Sequence, residues 1–384
     1  MTAGAAAERC AEPFEGGDRN YTLTRLPGWL EMVEAPARIQ PLRLSRRELA
    51  ALPRGELLRY NDARKVWHAN LGPFKTPQLL DLHDGLAEIV ESNRQDGDKN
   101  KPAALVDSYP GLGKTTAVLD YARQYYREQI ELRGQSAPGG HRRVPVIYIA
   151  LTGSTQIRGL NEAICRFYGL PVSGNADTLA ARAVDAVQSL ATQAIVVDDI
   201  HFLDMARRDA QVMANHFKYL SNAFPVTLVY IGVGVAARGI LDEGLSPAEA
   251  LFAQFGRRTT PLTLPPFLAG TEQGRRDWRR LLLTIEQKLV LAGNHHGMIA
   301  DELPDYLYAR STGHFASLMT LITRGCLRAM RTGEERLTTG LLDGVRNDAA
   351  AEKARAELAA AIKAGLFTTR PGQPGAGTSP EPAR

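Results

Sequence analysis

Apolar residues first recur at helical spacing in residues 77–92, where Leu79, Leu82, Leu86, Ile89 and Val90 fall on one face. Thr76 supplies an N-cap and Pro77 suits the first helical position, where no N–H is needed. Upstream, residues 1–60 carry scattered Pro and Arg with little periodicity, which predicts an extended arm with one short helix. Downstream the pattern alternates. Short apolar runs at 103–107, 144–151, 194–198 and 226–231 predict buried strands, and helical spacing fills 115–132, 160–168, 178–190 and 205–224. Near-continuous apolar strands alternating with helices argue for an α/β parallel sheet covered on both faces. After Pro265 and Pro266 the strand signal stops, and helices at 278–292 and 314–330 predict a small helical domain. The expected organisation is an arm and adaptor segment (1–75), an α/β core (76–266), a helical lid (267–350), and a helical end with a Pro/Gly/Ser-rich disordered tail (351–384).

Composition narrows the class. With 44% hydrophobic and 23% charged residues, the chain reads as an ordinary globular protein of two or three structural units. No basic start precedes an apolar core at the N-terminus, and no apolar run is long enough to span a bilayer. Three separated cysteines (Cys10, Cys165, Cys326) give neither metal spacing nor a disulfide framework, so a reducing cytoplasm is expected. A net charge of +4 does not by itself require a nucleic-acid partner.

Chemistry concentrates at two places. Between the first strand and its helix the chain reads Ser108-Tyr109-Pro110-Gly111-Leu112-Gly113-Lys114-Thr115, followed by Thr116. Only Ser108 departs from the phosphate-loop pattern G-x-x-x-x-G-K-[ST]. Glycines there let backbone N–H groups converge on phosphate oxygens at a helix N-terminus. Lys114 would reach the terminal phosphates of ATP and Thr115 would offer its hydroxyl to Mg2+. The second place is Ala194-Ile-Val-Val-Asp198-Asp199, a buried strand ending in two acids. Sheets of this type bind ligands at the carboxyl ends of their strands. Asp198 is the expected magnesium ligand, and Asp199 stands where a base would polarise the attacking water.

With the two-helix excursion before the paired acids, these features resemble a P-loop NTPase of the AAA+ type. More narrowly the chain resembles the TniB/TnsC-type transposition helper ATPases, relatives of the Mu phage target-selection ATPase. The resemblance spans residues 60–331 and rests on Lys75-Thr-Pro77 with its leucine helix, Tyr109 to Thr116, Val196-Val-Asp-Asp-Ile-His201 and Tyr230-Ile-Gly232. It implies ATPase activity, a homo-oligomer in rings or filaments, double-stranded DNA as ligand, and a transposase and target-selection adaptor as partners. It also implies an arginine finger within Gln254-Phe-Gly-Arg257-Arg258, with Arg257 preferred, and DNA-facing positions near Arg158, Arg207 and Arg208. Three departures point to slow turnover: Asp199 where most members carry Glu, no polar residue near Val233, and Ala316 or Ser317 in place of a sensing arginine. Other readings compatible with the residues are a signalling or defence switch with a protein partner, and an ATP-bound scaffold that does not hydrolyse.

Arg275, Arg276, Arg279 and Arg280 crowd the expected start of the helix at Trp278. Cations are disfavoured at a helix N-terminus, so an anionic partner such as DNA phosphate is one reading and a solvated face is the other. His295 and His296 lack companions at metal-ligand spacing, and Trp67 and Trp278 are expected as packing anchors.

Overall fold

The computed structural model describes residues 18–96, 101–151, 157–200, 224, 226–235 and 256–372. The chain is woven into two compact units. Asn20–Pro36 joins the described parts of Gln78–Pro265 in one, and Ala37–Pro77 joins the described part of Pro266–Arg384 in the other.

The first unit is built on five parallel strands, β1 (Ala103–Asp107), β2 (Val146–Ala150), β3 (Ala194–Asp198), β4 (Thr227–Gly232) and β5 (Thr259–Leu262), in the order β2-β3-β4-β1-β5. β1, β3 and β4 are buried along their whole length, as apolar strands covered on both faces must be. The sequence does not announce β5, because Pro261 cannot donate a ladder hydrogen bond. The strand survives because it lies at the sheet edge, paired to β1 with Leu105 opposite Pro261.

Helices α1 (Leu26–Glu34), α4 (Pro77–Ser92), α5 (Lys114–Arg133), α6 (Ile157–Phe167) and α7 (Ala176–Ser189) belong to the same unit. α4 begins and ends where its periodicity predicts. Gly85 explains itself by contact: a Cβ there would stand 2.8 Å from Leu262 of β5. The helix expected at 205–224 lies outside the described residues.

The extended arm expected over 1–60 is corrected by the structure. α1, α2 (Arg46–Ala51) and the first part of α3 (Arg54–Ala69) occupy it. Their weak sequence signal has a physical reason: each is stabilised by surfaces distant in sequence. Trp29 of α1 is fully buried and stacks parallel to Tyr148 of β2 at 6.5 Å. Arg123 and Arg127 of α5 donate to the carbonyls of Val33 and Ala35 at the end of α1.

The second unit packs α2 and α3 with α8 (Glu272–Lys288), α9 (Pro304–Ser311), α10 (Phe315–Thr332), α11 (Thr339–Asp343) and α12 (Ala349–Lys363). Trp278, Leu282, Ile285, Leu307, Leu318 and Ile322 are all fully buried in its core. Arg64 of α3, 1% exposed, makes a two-pronged ion pair with Glu335 at 2.7 and 3.0 Å. Trp67 donates to the Lys288 carbonyl (2.7 Å) and Trp278 to that of Pro304 (3.2 Å), so both anchor the packing. α8 starts six residues before the expected Trp278, because Thr271 accepts a hydrogen bond from Gly274 N–H and caps it.

Candidate nucleotide site

The glycine loop lies between β1 and α5. Gly111 (φ 76°) and Gly113 (φ 88°) adopt left-handed conformations that a Cβ would oppose, and Gly113 is the N-cap of α5. Ser108, which replaces the first glycine of the motif, is not among the residues with positive φ. Its hydroxyl instead ties the loop down, donating to Asp107 C=O (2.6 Å) and accepting from Leu264 N–H (2.7 Å).

Lys114, 7% exposed, turns back into the loop. Its Nζ donates to the carbonyls of Ser108 (2.7 Å) and Tyr109 (2.8 Å). Burial lowers its pKa from the ordinary lysine value, and the negative charges of Asp107, Asp198 and Asp199 oppose that shift. A poorly hydrated ammonium held only by carbonyl oxygens is poised to exchange them for phosphate oxygens. Leu112 is buried beneath the loop, whereas Tyr109, Pro110, Gly111 and Thr116 are exposed.

β3 brings Asp198 to the same edge of the sheet. Thr115 Oγ1 donates to Asp198 Oδ2 at 2.8 Å, joining the two halves of the motif across 83 positions of sequence. The carboxylate is held twice more, by Tyr148 OH at 2.8 Å on Oδ2 and by Asp199 N–H at 2.7 Å on Oδ1. Burial, together with the negative charge of Asp198, pushes Tyr148 well above the usual phenol range, so its hydroxyl is a firm donor. Tyr148 is a residue that motif reading misses. The available signal was its place as the one hydroxyl in the apolar strand Val146–Ala150.

Asp199 follows directly, half-buried and left-handed at φ 58°. Asp adopts that conformation more readily than longer side chains, because its short carboxylate can satisfy nearby backbone. This is a backbone reason for Asp where the resembled family carries Glu.

The donor set fits a nucleotide and its cation. A left-handed glycine loop at a helix start, a retracted lysine, and a hydroxyl–carboxylate pair at bonding distance are what a triphosphate with magnesium requires. Among the described residues no group of three or more His, Cys, Asp or Glu is arranged to hold a metal.

The arginines named from sequence lie elsewhere. Arg257 is exposed at a helical position just ahead of β5, and the carbonyl of the next residue, Arg258, accepts from Ala103 N–H. Arg158 of α6 bonds Glu162 (2.8 Å) and the Gly174 carbonyl (3.0 Å). Arg207, Arg208 and His201 lie outside the described residues, as do Gln254 and Phe255. Arg275 and Arg276 are the fourth and fifth residues of α8, which begins at Glu272, and the Glu272 carboxylate accepts from both at 3.0 and 3.1 Å. The anion that their charge calls for is thus supplied within the helix. His295 pairs with Glu302 at 2.6 Å.

Residues 98–241, which contain the loop and both acids, match the family model described as an AAA domain. No curated protein matches the chain. Among solved structures, the chain is similar to Cdc6p from Pyrobaculum aerophilum (TM-score 0.49, 16% identity, 73% of each chain covered). It is also similar to the Aeropyrum pernix ORC2 protein in ADPNP-ADP complexes (TM-score 0.47, 16% identity, 77% of this chain and 71% of that one). The fold is the AAA+ P-loop fold, with its parallel five-stranded sheet flanked by helices. No described helix is long and apolar enough to cross a membrane.

Proposed function

We propose that this protein binds ATP at the glycine loop, assembles with copies of itself in the ATP-bound state, and hydrolyses the nucleotide slowly. The observation that supports the reading is the 2.8 Å bond between Thr115 and Asp198, which joins the glycine loop to the acidic end of β3. Lys114 leaves its two loop carbonyls for the terminal phosphates, and the amides at the start of α5 take the remaining oxygens. Thr115 and Asp198 would hold a magnesium ion that neutralises phosphate charge. Asp199 orients the attacking water, with a carboxylate one methylene shorter than glutamate and set by a left-handed backbone.

The finer reading rests on the resemblance to TniB/TnsC-type helper ATPases. It makes the protein a DNA-binding regulator of transposition that oligomerises on double-stranded DNA as rings or filaments. There it recruits or activates a transposase, alongside a target-selection adaptor. Arg257, exposed before β5, is the candidate to reach a neighbouring subunit's nucleotide. Arg158, Arg207, Arg208, Arg275 and Arg276 remain candidates for phosphate contacts. For Arg275 and Arg276, DNA would have to compete with Glu272.

Electron microscopy and phosphate-release assays with ATP, with and without duplex DNA, test these layers together. DNA-dependent assemblies with turnover below about 10 per second support the full reading. Assembly without DNA supports a switch acting on a protein partner, and a failure to bind ATP with magnesium overturns all of them.

A further inference from the structure

Parallel strands put all their beginnings at the edge opposite the nucleotide site, and at that edge the first unit holds a second cavity of about 300 Å³. It lies where β1, β3 and β4 start, closed on the sides by the end of α4 and by α5. The size is at the lower bound of small-molecule pockets. Among the described residues its lining carries three cations, Arg94, Lys101 and Arg133, and no acid. Glu91 stands beside the rim and pairs with Arg94 at 2.8 Å, which leaves a net positive lining.

The floor is polar and largely committed. Tyr125 donates to Gln193 Oε1 at 2.6 Å, and Asn93 Nδ2 donates to Pro102 C=O (2.7 Å) and to Thr227 Oγ1 (3.1 Å). Asn93 is 3% exposed, yet its Oδ1 has no hydrogen-bond partner. Lys101 has no ion pair among the described residues, and burial lowers its ammonium below the usual lysine range. A partly desolvated ammonium beside two guanidinium groups in one cavity asks for an anion.

We propose that this cavity binds a small phosphate-bearing molecule, its oxyanion held by Lys101, Arg94 and Arg133. Inorganic phosphate and a sugar phosphate share this chemistry. The site stands apart from the glycine loop and does not depend on the nucleotide reading.

The test is calorimetric titration of the full chain at constant ionic strength with inorganic phosphate and, separately, ribose 5-phosphate. Lys114→Ala serves as the background, because it removes the phosphate grip of the glycine loop. Saturable binding is expected to persist in Lys114→Ala and to weaken at least tenfold when Lys101→Glu or Arg133→Glu is added. Single Lys101→Glu and Arg133→Glu chains should keep the parent circular dichroism and ATP affinity, which shows that they fold. A sugar phosphate binding more tightly than phosphate assigns the ligand to a metabolite, and equal binding assigns it to inorganic phosphate; both uphold the site. Binding that vanishes with Lys114→Ala alone, or that ignores both added glutamates, overturns it.

Discussion

Lys114 and Asp199 carry the sharpest consequences at the residue scale. Lys114 must be charged to hold phosphate, and burial makes it lose its proton at lower pH than a free lysine. Affinity for ATP should therefore weaken as pH rises while an ordinary lysine, with a pKa near 10.4, is still charged. Equilibrium titration with a fluorescent ATP analogue across the alkaline range reads this directly. A profile flat up to the ordinary lysine value contradicts the role. In the role proposed for Asp199, Asp199→Asn removes the base without removing any phosphate contact. Phosphate release should fall about 100-fold or more while ATP affinity stays within about twofold. A matched loss of both would place Asp199 in binding instead. The glycine loop and the acidic pair were legible in sequence because each is a contiguous run whose residue types are fixed by phosphate and cation chemistry. Tyr148 was not, since a tyrosine in an apolar strand reads as packing until Asp198 is seen 2.8 Å away.

At the scale of elements, local signals marked what local physics holds together. α4 was readable to the residue because its first proline and its apolar stripe lie within its own span. β5 was hidden by Pro261, and α1 and α3 by partners far along the chain: Trp29 meets Tyr148, and Arg64 meets Glu335 across 271 positions. The misplaced start of α8 made Arg275 and Arg276 look unneutralised, although Glu272 was three and four residues away. The Arg64–Glu335 pair locks α3 into the helical unit. Arg64→Ala would strand a carboxylate that is otherwise 5% exposed, at a cost of about 3–5 kcal/mol. Urea unfolding measures this. Arg64→Met combined with Glu335→Gln should recover part of the loss, because no buried charge then remains, and an additive double variant would show the pair to be uncoupled.

For the whole molecule, pH acts through His68, which is fully buried in the helical unit and accepts Val290 N–H at 3.0 Å on Nε2. Burial, with help from Arg64, lowers its pKa to about 3. The folded chain keeps it neutral while the unfolded chain protonates it near pH 6.5, so its contribution is complete above that value. As pH falls from about 6.5 toward about 3 the unfolded state binds the extra proton, and stability drops by roughly 1.4 kcal/mol per pH unit. Melting curves for wild type and His68→Gln should diverge in slope across this window, with the variant flatter; parallel curves would rule His68 out.

The interleaving of the two units has a practical outcome for fragments. Residues 78–265 lack the segment that brings Trp29 onto Tyr148, and losing a buried aromatic of that size costs about 3–5 kcal/mol. A synthetic peptide of residues 20–36 should therefore complement the fragment in trans. The fragment contains none of the three tryptophans, Trp29, Trp67 and Trp278, so the peptide's indole would be the sole fluorophore of its kind, its emission shifting blue as it docks.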